Sequence, residues 1–101
     1  MNYPKFSYNE LNLIKLAKSL HIRELYIFGS ALREDFSDIS DIDLLVVFEK
    51  DAHYSLFDIM EVKAKLESFF GREVDLIEKE GLRNPYRKEA ILNSARKIYA
   101  A

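Results

Sequence analysis

The sequence predicts an α/β (α+β) chain in which a small mixed β-sheet is flanked by helices. Three observations carry that expectation. Apolar residues recur at helical spacing in three stretches, and three short β-branched or aromatic runs alternate with them. Only three Gly and two Pro are present, too few for long linkers. The order reads helix, strand, loop, strand, helix, strand, helix. It spreads over residues 1–101 as one expected domain.

Each element has a local cause. Ser7-Tyr8-Asn9-Glu10 has the form of a capping box, and Leu13, Ile14, Ala17 and Leu20 then share one helical face with Lys15 and Lys18 outside it. Glu24 to Phe28 is a short buried-strand pattern stopped by Gly29. Residues 33–41 are polar and acidic, a loop. That connection is too short for a long helical crossover, although one helical turn fits. From Asp41 to Phe48 an alternation becomes a continuous apolar run, which suits a central strand covered on both faces. A second helix starts at about Ser55, capped with Asp58. Leu56, Ile59, Val62, Leu66, Phe69 and Phe70 mark its inner stripe, and Gly71 supplies a left-handed stop. Glu73 to Ile77 is a third strand. Asn84-Pro85 opens the last helix, and Ile91, Leu92, Ala95, Ile98 and Tyr99 form its expected apolar stripe.

Composition removes whole classes of function. With 49% hydrophobic residues and a formal charge of −2, the chain can bury a core and is not disordered. The balance of 15 basic against 17 acidic residues supplies no global positive field, so dedicated nucleic-acid binding is not expected. The absence of cysteine excludes a disulfide scaffold, a Cys-ligated zinc and thiol catalysis. The apolar run Leu44 to Phe48 falls far short of the roughly 20 residues of a membrane span. The first residues have no apolar signal region. A cytoplasmic location without membrane partners is the expectation.

Chemistry concentrates between Gly29 and Asp43. Two residues apart on a strand, Asp41 and Asp43 project from one face with Cα atoms roughly 6.6 Å apart. At about 5 Å two carboxylates repel by on the order of 3 kcal/mol at an effective dielectric near 20, a cost that a shared divalent cation removes. Hard oxygen donors without nearby Cys or His favour Mg²⁺. The spacing alone equally suits two solvated acids at a strand entry. Direction discriminates further. In phosphatases and glycosyltransferases that use Asp-x-Asp the apolar strand precedes the acids, whereas here it follows them. Gly29-Ser30 lies where a strand turns toward a short helix and could receive a phosphate, or could be merely a turn. Arg33, one turn on, could reach that phosphate or remain a surface side chain. Asp75 sits inside the third strand. If that strand lies beside the one beginning at Asp41, three carboxylates meet two Mg²⁺ ions, the arrangement of two-metal phosphoryl transfer. Otherwise Asp75 is an edge-strand acid facing water.

These residues resemble the nucleotidyltransferase superfamily of DNA polymerase beta. Its signature is Gly-Ser, about ten residues, then Asp-x-Asp running into an apolar strand, with a third Asp on a later strand. Here residues 31 to 40 separate Ser30 from Asp41, and Ser40-Asp41-Ile42-Asp43-Leu44-Leu45-Val46 is close to the usual wording. The length, Asn84-Pro85 and Ile98-Tyr99 are similar to the minimal nucleotidyltransferases (MNT), often encoded beside a HEPN-type ribonuclease toxin. The resemblance spans roughly residues 10 to 100. It implies a polymerase-beta-type fold, nucleotide binding by Gly29, Ser30 and Arg33, and metal binding and catalysis by Asp41, Asp43 and Asp75. It further implies two Mg²⁺ ions, ATP as substrate, and transfer of AMP to a Tyr hydroxyl of a partner HEPN toxin in a hetero-oligomeric antitoxin role.

Two other classes compete. A non-catalytic binding subunit would neutralise its partner by contact alone. A small-molecule transferase, acting for example on an aminoglycoside, usually needs a second domain to hold the acceptor. The elements use nearly all of the chain, so the acceptor is expected to bring its own docking surface. Charge is polarised in a way that could steer such a partner: residues 34–51 carry seven acids against Lys50, and residues 79–101 carry six bases against two acids. His21 reads as a cation at a helix end, and His53 as a solvated loop residue. One departure stands out. Glu34 occupies the place where the family usually has Gly, and a carboxylate there opposes a triphosphate. Glu34→Gly is therefore expected to tighten Mg-ATP binding modestly, measured by calorimetric titration; weaker binding would make Glu34 a ligand or a cap.

Overall fold

The computed structural model describes residues 8–29 and 41–101. Its elements are α1 (Glu10–Ser19), β1 (Ile22–Phe28), β2 (Ile42–Phe48), α2 (Leu56–Phe70), β3 (Val74–Glu78), a 3₁₀ turn (Lys79–Gly81), α3 (Pro85–Ser94) and β4 (Arg96–Ala100). The four strands form one mixed sheet in the order β3-β2-β1-β4. β1 runs antiparallel to both β2 and β4, while β2 and β3 are parallel neighbours joined through α2.

β2 is central and covered on both faces, as its apolar run requires. Ile42, Leu44 and Val46 join Leu13, Ala17, Val62 and Leu66 from α1 and α2 in the main core. Leu45, between them in sequence, points the opposite way and packs with Phe28 and Ile91 of α3. Burying side chains of this size contributes roughly 1.5–3 kcal/mol each.

The helix ends follow capping chemistry. Ser55 caps α2 in a reciprocal box with Asp58, and Gly71 stops it at φ 69°. Asn84 caps α3 through the amides of Tyr86 and Arg87, with Pro85 next in line. α1 is capped by Asn9, whose side chain accepts from the Asn12 amide at 3.0 Å. The expected Ser7–Glu10 box includes a residue outside the described ones. Two stripe positions are solvent-facing rather than inner: Leu56 is 74% exposed and Ile14 36%. His21 lies one residue past the α1 C-cap at φ 55°, with its imidazole 3.5 Å from the Glu49 carboxylate.

One element differs from the sequence expectation. The stripe Ile91–Tyr99 reads as a single helix, but α3 ends at Ser94, Ala95 is extended, and residues 96–100 form β4. The cause is long-range. β1 would otherwise leave its outer edge unpaired, and Ile98 and Tyr99 favour a pleated surface. Tyr99 pairs with Leu25 and is buried in the main core.

Between β1 and β4, Tyr26 donates its hydroxyl to Glu24 at 2.7 Å, and Lys97 reaches the same carboxylate at 3.3 Å. The Tyr26 hydrogen bond, assisted by Lys97, holds the Glu24 carboxyl below its usual range. A carboxyl depressed in the folded state stabilises above its unfolded pKa, about 4.3, and that contribution is lost as pH falls through the folded value. Glu24→Gln should thus lower the melting temperature at pH 7, and the difference from the parent should shrink as the scan moves below pH 4.

Candidate active site

The acidic residues gather at one end of the sheet. Gly29 follows the last residue of β1, Asp41 precedes β2, Asp43 is the second residue of β2, and Asp75 the second of β3. Register brings two of these positions, Asp43 and Asp75, into one lateral row with Phe28. Phe28 pairs with Asp43, and Asp43 pairs with Asp75 across the parallel β2–β3 ladder. Adjacent strands lie about 4.8 Å apart, so the Asp43 and Asp75 side chains leave the same face as neighbours. That face is the one packed by α3, because alternation sets Asp43 with Leu45 and Asp75 with Ile77. Asp43 is half-buried; Asp41 and Asp75 are exposed.

Gly29 is tied to the same carboxylate. Its φ is 70°, a conformation that L side chains rarely adopt, and a Cβ there would collide with Asp43 Oδ2 and lie 3.2 Å from Asp43 Cγ. Only glycine satisfies both conditions at once. Ser30, Arg33 and Glu34 lie outside the described residues.

Among the described residues no group of three or more His, Cys, Asp or Glu side chains is gathered as a ready-made metal cage. The donor set nevertheless suits Mg²⁺, which is commonly held by one or two carboxylates together with substrate phosphates rather than by an all-protein cage. The expected meeting of β2 and β3 is thus present in the backbone register, while Asp75 also stands on an edge strand and faces solvent.

A cleft of about 600 Å³ opens at the other end of β2, lined in part by Phe48, Lys50, His53, Tyr54 and Glu78. Its nearest lining residue on β2, Val46, stands three residues along the strand from Asp43, roughly 10 Å away. Beside it, the first turn of α2 exposes Phe57 by 82% and Met60 by 59%. The Glu24–Tyr26–Lys97 cluster was not singled out in the sequence. The i, i+2 spacing of Glu24 and Tyr26 was an available signal, but Lys97 joins them only through β4 pairing.

A small mixed sheet carrying a left-handed glycine against the first of two acid-bearing parallel strands defines a nucleotidyltransferase architecture. The chain belongs to the Nucleotidyltransferase domain family, which it matches over residues 11–98. It is similar to MJ1379 of Methanocaldococcus jannaschii, named as a candidate protein adenylyltransferase, at 36% identity over 70 residues covering 69% of this chain and 70% of the relative. Similarity to the protein adenylyltransferase MntA of Thermococcus cleftensis is 34% over 77 residues, 76% of each chain. Among solved structures, a chain of a toxin–antitoxin crystallised with AMP-PNP superposes with a TM-score of 0.71 at 22% identity, covering 92% of this chain and 74% of that one. A candidate minimal nucleotidyltransferase gives 0.69 at 31% identity, covering 86% of each. A chain of the complex between tri-AMPylated HEPN toxin and MNT antitoxin of Shewanella oneidensis gives 0.60 at 23%, covering 91% and 70%. The matches under 25% identity establish the fold; family membership makes the chain an enzyme of the nucleotidyltransferase class.

The crowding of Gly29 against Asp43 yields a stability test. Gly29→Ala should cost about 1–2 kcal/mol for the left-handed backbone alone, plus a steric part. In a double-mutant cycle by urea unfolding, Asp43→Ala should relieve the steric part and leave the backbone part, so the two substitutions should not add.

Proposed function

We propose that this chain is a Mg²⁺-dependent adenylyltransferase that moves AMP from ATP onto a Tyr hydroxyl of a HEPN-type ribonuclease toxin, acting in the cytoplasm as its antitoxin. The observation that carries the reading is the Asp43–Asp75 register pair beside Gly29. It is supported by relatives named as protein adenylyltransferases. Fold neighbours found with AMP-PNP or with an AMPylated HEPN toxin add to that support.

Each residue has a chemical task. Gly29 lets a phosphate approach the backbone at the end of β1, and Ser30 adds a hydroxyl donor. Arg33 would neutralise phosphate charge. Asp41, Asp43 and Asp75 would hold Mg²⁺, which when bound offsets charge on the attacking and leaving oxygens. Asp75, outermost on the sheet, orients the acceptor hydroxyl and takes its proton. The acceptor oxygen bonds to the α-phosphorus, the bond to the bridging oxygen breaks, and pyrophosphate departs with the electron pair. Holding both reactants in line supplies most of the rate, because an oriented pair reacts as though unimolecular.

A near-isosteric variant separates transfer from contact. Asp43→Asn should keep the fold and any partner complex while label from α-labelled ATP on the partner falls at least about a hundredfold, the scale of removing one preorganised electrostatic group from an active site. In the parent, Mg-ATP at a hundredfold excess over Kd should stabilise by about 2.7 kcal/mol, and ATP with chelator should not. A stable complex whose partner stays unmodified would return the contact-only binding subunit.

A further inference from the structure

Asp75 stands where a strand opens most easily. β3 is an outer strand, paired among the described residues only with β2, and Asp75 is its second residue. The parallel ladder begins at Ile42 and Val74, one step before the Asp43–Asp75 pair. Ladder ends fray first, and a strand held from one side has no second neighbour to restrain it. A carboxylate that must stay beside Asp43 needs a further hold.

Glu67, half-buried in the last turn of α2, supplies that hold. Its Oε2 accepts the Val74 N–H at 3.0 Å. On the other side of the same peptide group, Glu73 O accepts the Ile42 N–H at 2.9 Å. The peptide joining Glu73 to Val74 is thus gripped from both sides, one residue before Asp75. Its inner partner, Ile42, is the residue between Asp41 and Asp43. Carboxylate, peptide and Ile42 amide form one hydrogen-bonded chain from α2 to the backbone that carries the other two acids. Bonds in such a chain polarise one another, and a charged acceptor makes its outer link the stronger kind. Glu67 also secures the turn into β3, because its carbonyl accepts the N–H of the left-handed Gly71 at 2.8 Å. Val74 is 2% exposed, so water has little access to replace the carboxylate.

Glu67 does not itself join the acid row. α2 packs against the face of Ile42, Leu44 and Val74, whereas Asp43 and Asp75 leave the opposite face with Leu45 and Ile77.

We propose that Glu67 is a positioning residue for adenylyl transfer: through the Glu73–Val74 peptide it sets where Asp75 stands relative to Asp41 and Asp43. The inference rests on the adenylyl-transfer reading and adds what keeps the third acid in place. Gly29, Asp41 and Asp43 lie on β1, on β2 or at their ends, so nucleotide capture does not pass through Glu67. The transfer step does, because Asp75 meets the acceptor hydroxyl, and a misplacement of about 1 Å at a reacting group can cost on the order of a hundredfold in rate.

Three substitutions separate reach from charge. Glu67→Gln keeps an oxygen at the same reach without the charge, Glu67→Asp keeps the charge one methylene short, and Glu67→Ala keeps neither. Ser55→Ala removes the cap at the other end of α2 and controls for plain loss of stability. With the partner toxin as acceptor and α-labelled Mg-ATP as donor, Glu67→Ala and Glu67→Asp should transfer at least about tenfold more slowly at saturation, while half-saturating ATP stays within about twofold of the parent. Glu67→Gln and Ser55→Ala should keep the parent's rate within about threefold.

Two readouts stand apart from activity. Exchange of the Val74 and Ile42 amides, followed by NMR, should quicken at least about tenfold in Glu67→Ala and Glu67→Asp, and not in Glu67→Gln or Ser55→Ala. Mn²⁺ titrated with α,β-methylene-ATP, which cannot transfer its adenylyl group, should bind about tenfold more weakly in the same two variants. Equal loss of transfer in Glu67→Gln and Glu67→Ala overturns the proposal, as does an equal loss in Ser55→Ala. Unaltered amide exchange or unaltered Mn²⁺ binding in Glu67→Ala overturns it too, and so does a shift in half-saturating ATP at an unchanged maximal rate. In each of these cases transfer by the parent leaves the adenylyl-transfer reading intact. A parent that neither transfers label nor binds Mn²⁺ overturns both.

Discussion

Everything at the acidic end depends on how firmly β2 is held in the middle of the sheet. Ile42, Leu44, Leu45 and Val46 are almost wholly buried, on two faces at once. A slip of one residue would turn each of them to the opposite face, so the register of β2 against β1 and β3 has no neighbouring alternative. At roughly 1.5–3 kcal/mol per side chain, their burial exceeds the on-the-order-of 3 kcal/mol repulsion between two adjacent carboxylates. The core therefore decides where Asp43 and Asp75 stand, and the charges accept the placement.

That ordering of energies suits a site for phosphoryl chemistry. On the proposed reading, a cation would relieve the repulsion between the acids and in turn receive the polyanionic substrate. On that reading the acid row sets an electrostatic demand that a metal–nucleotide complex would fill. Gly29 belongs to the same arrangement, since its missing Cβ is what lets β1 end directly against Asp43. The cleft toward the other end of β2 lacks this convergence, and space alone does not make a catalytic centre.

The treatment of the two sheet edges links fold to use. Adding β4 protects β1 and extends the main core through Tyr99. It leaves β3, the strand that carries the outermost acid, as an edge.

Much of this was legible in the residues. The capping box at Ser55, the left-handed Gly71, the Asn84-Pro85 start and the two-sided apolar run of β2 are local chemistry, and each stands where its residues indicate. The motif around Gly29, Asp41 and Asp43 carried the family, because close backbone approach and paired hard ligands need particular residues at particular spacings. Other features were decided only by tertiary structure. Ile98 and Tyr99 satisfy helical spacing as well as strand propensity, and the open edge of β1 settled the choice. Leu56 fits the α2 stripe yet faces solvent, because nothing among the described residues reaches over the first turn of α2. That Asp75 stands beside Asp43 depends on a parallel ladder between strands more than thirty residues apart. Local propensity cannot encode such a contact; the burial of β2 between its neighbours does.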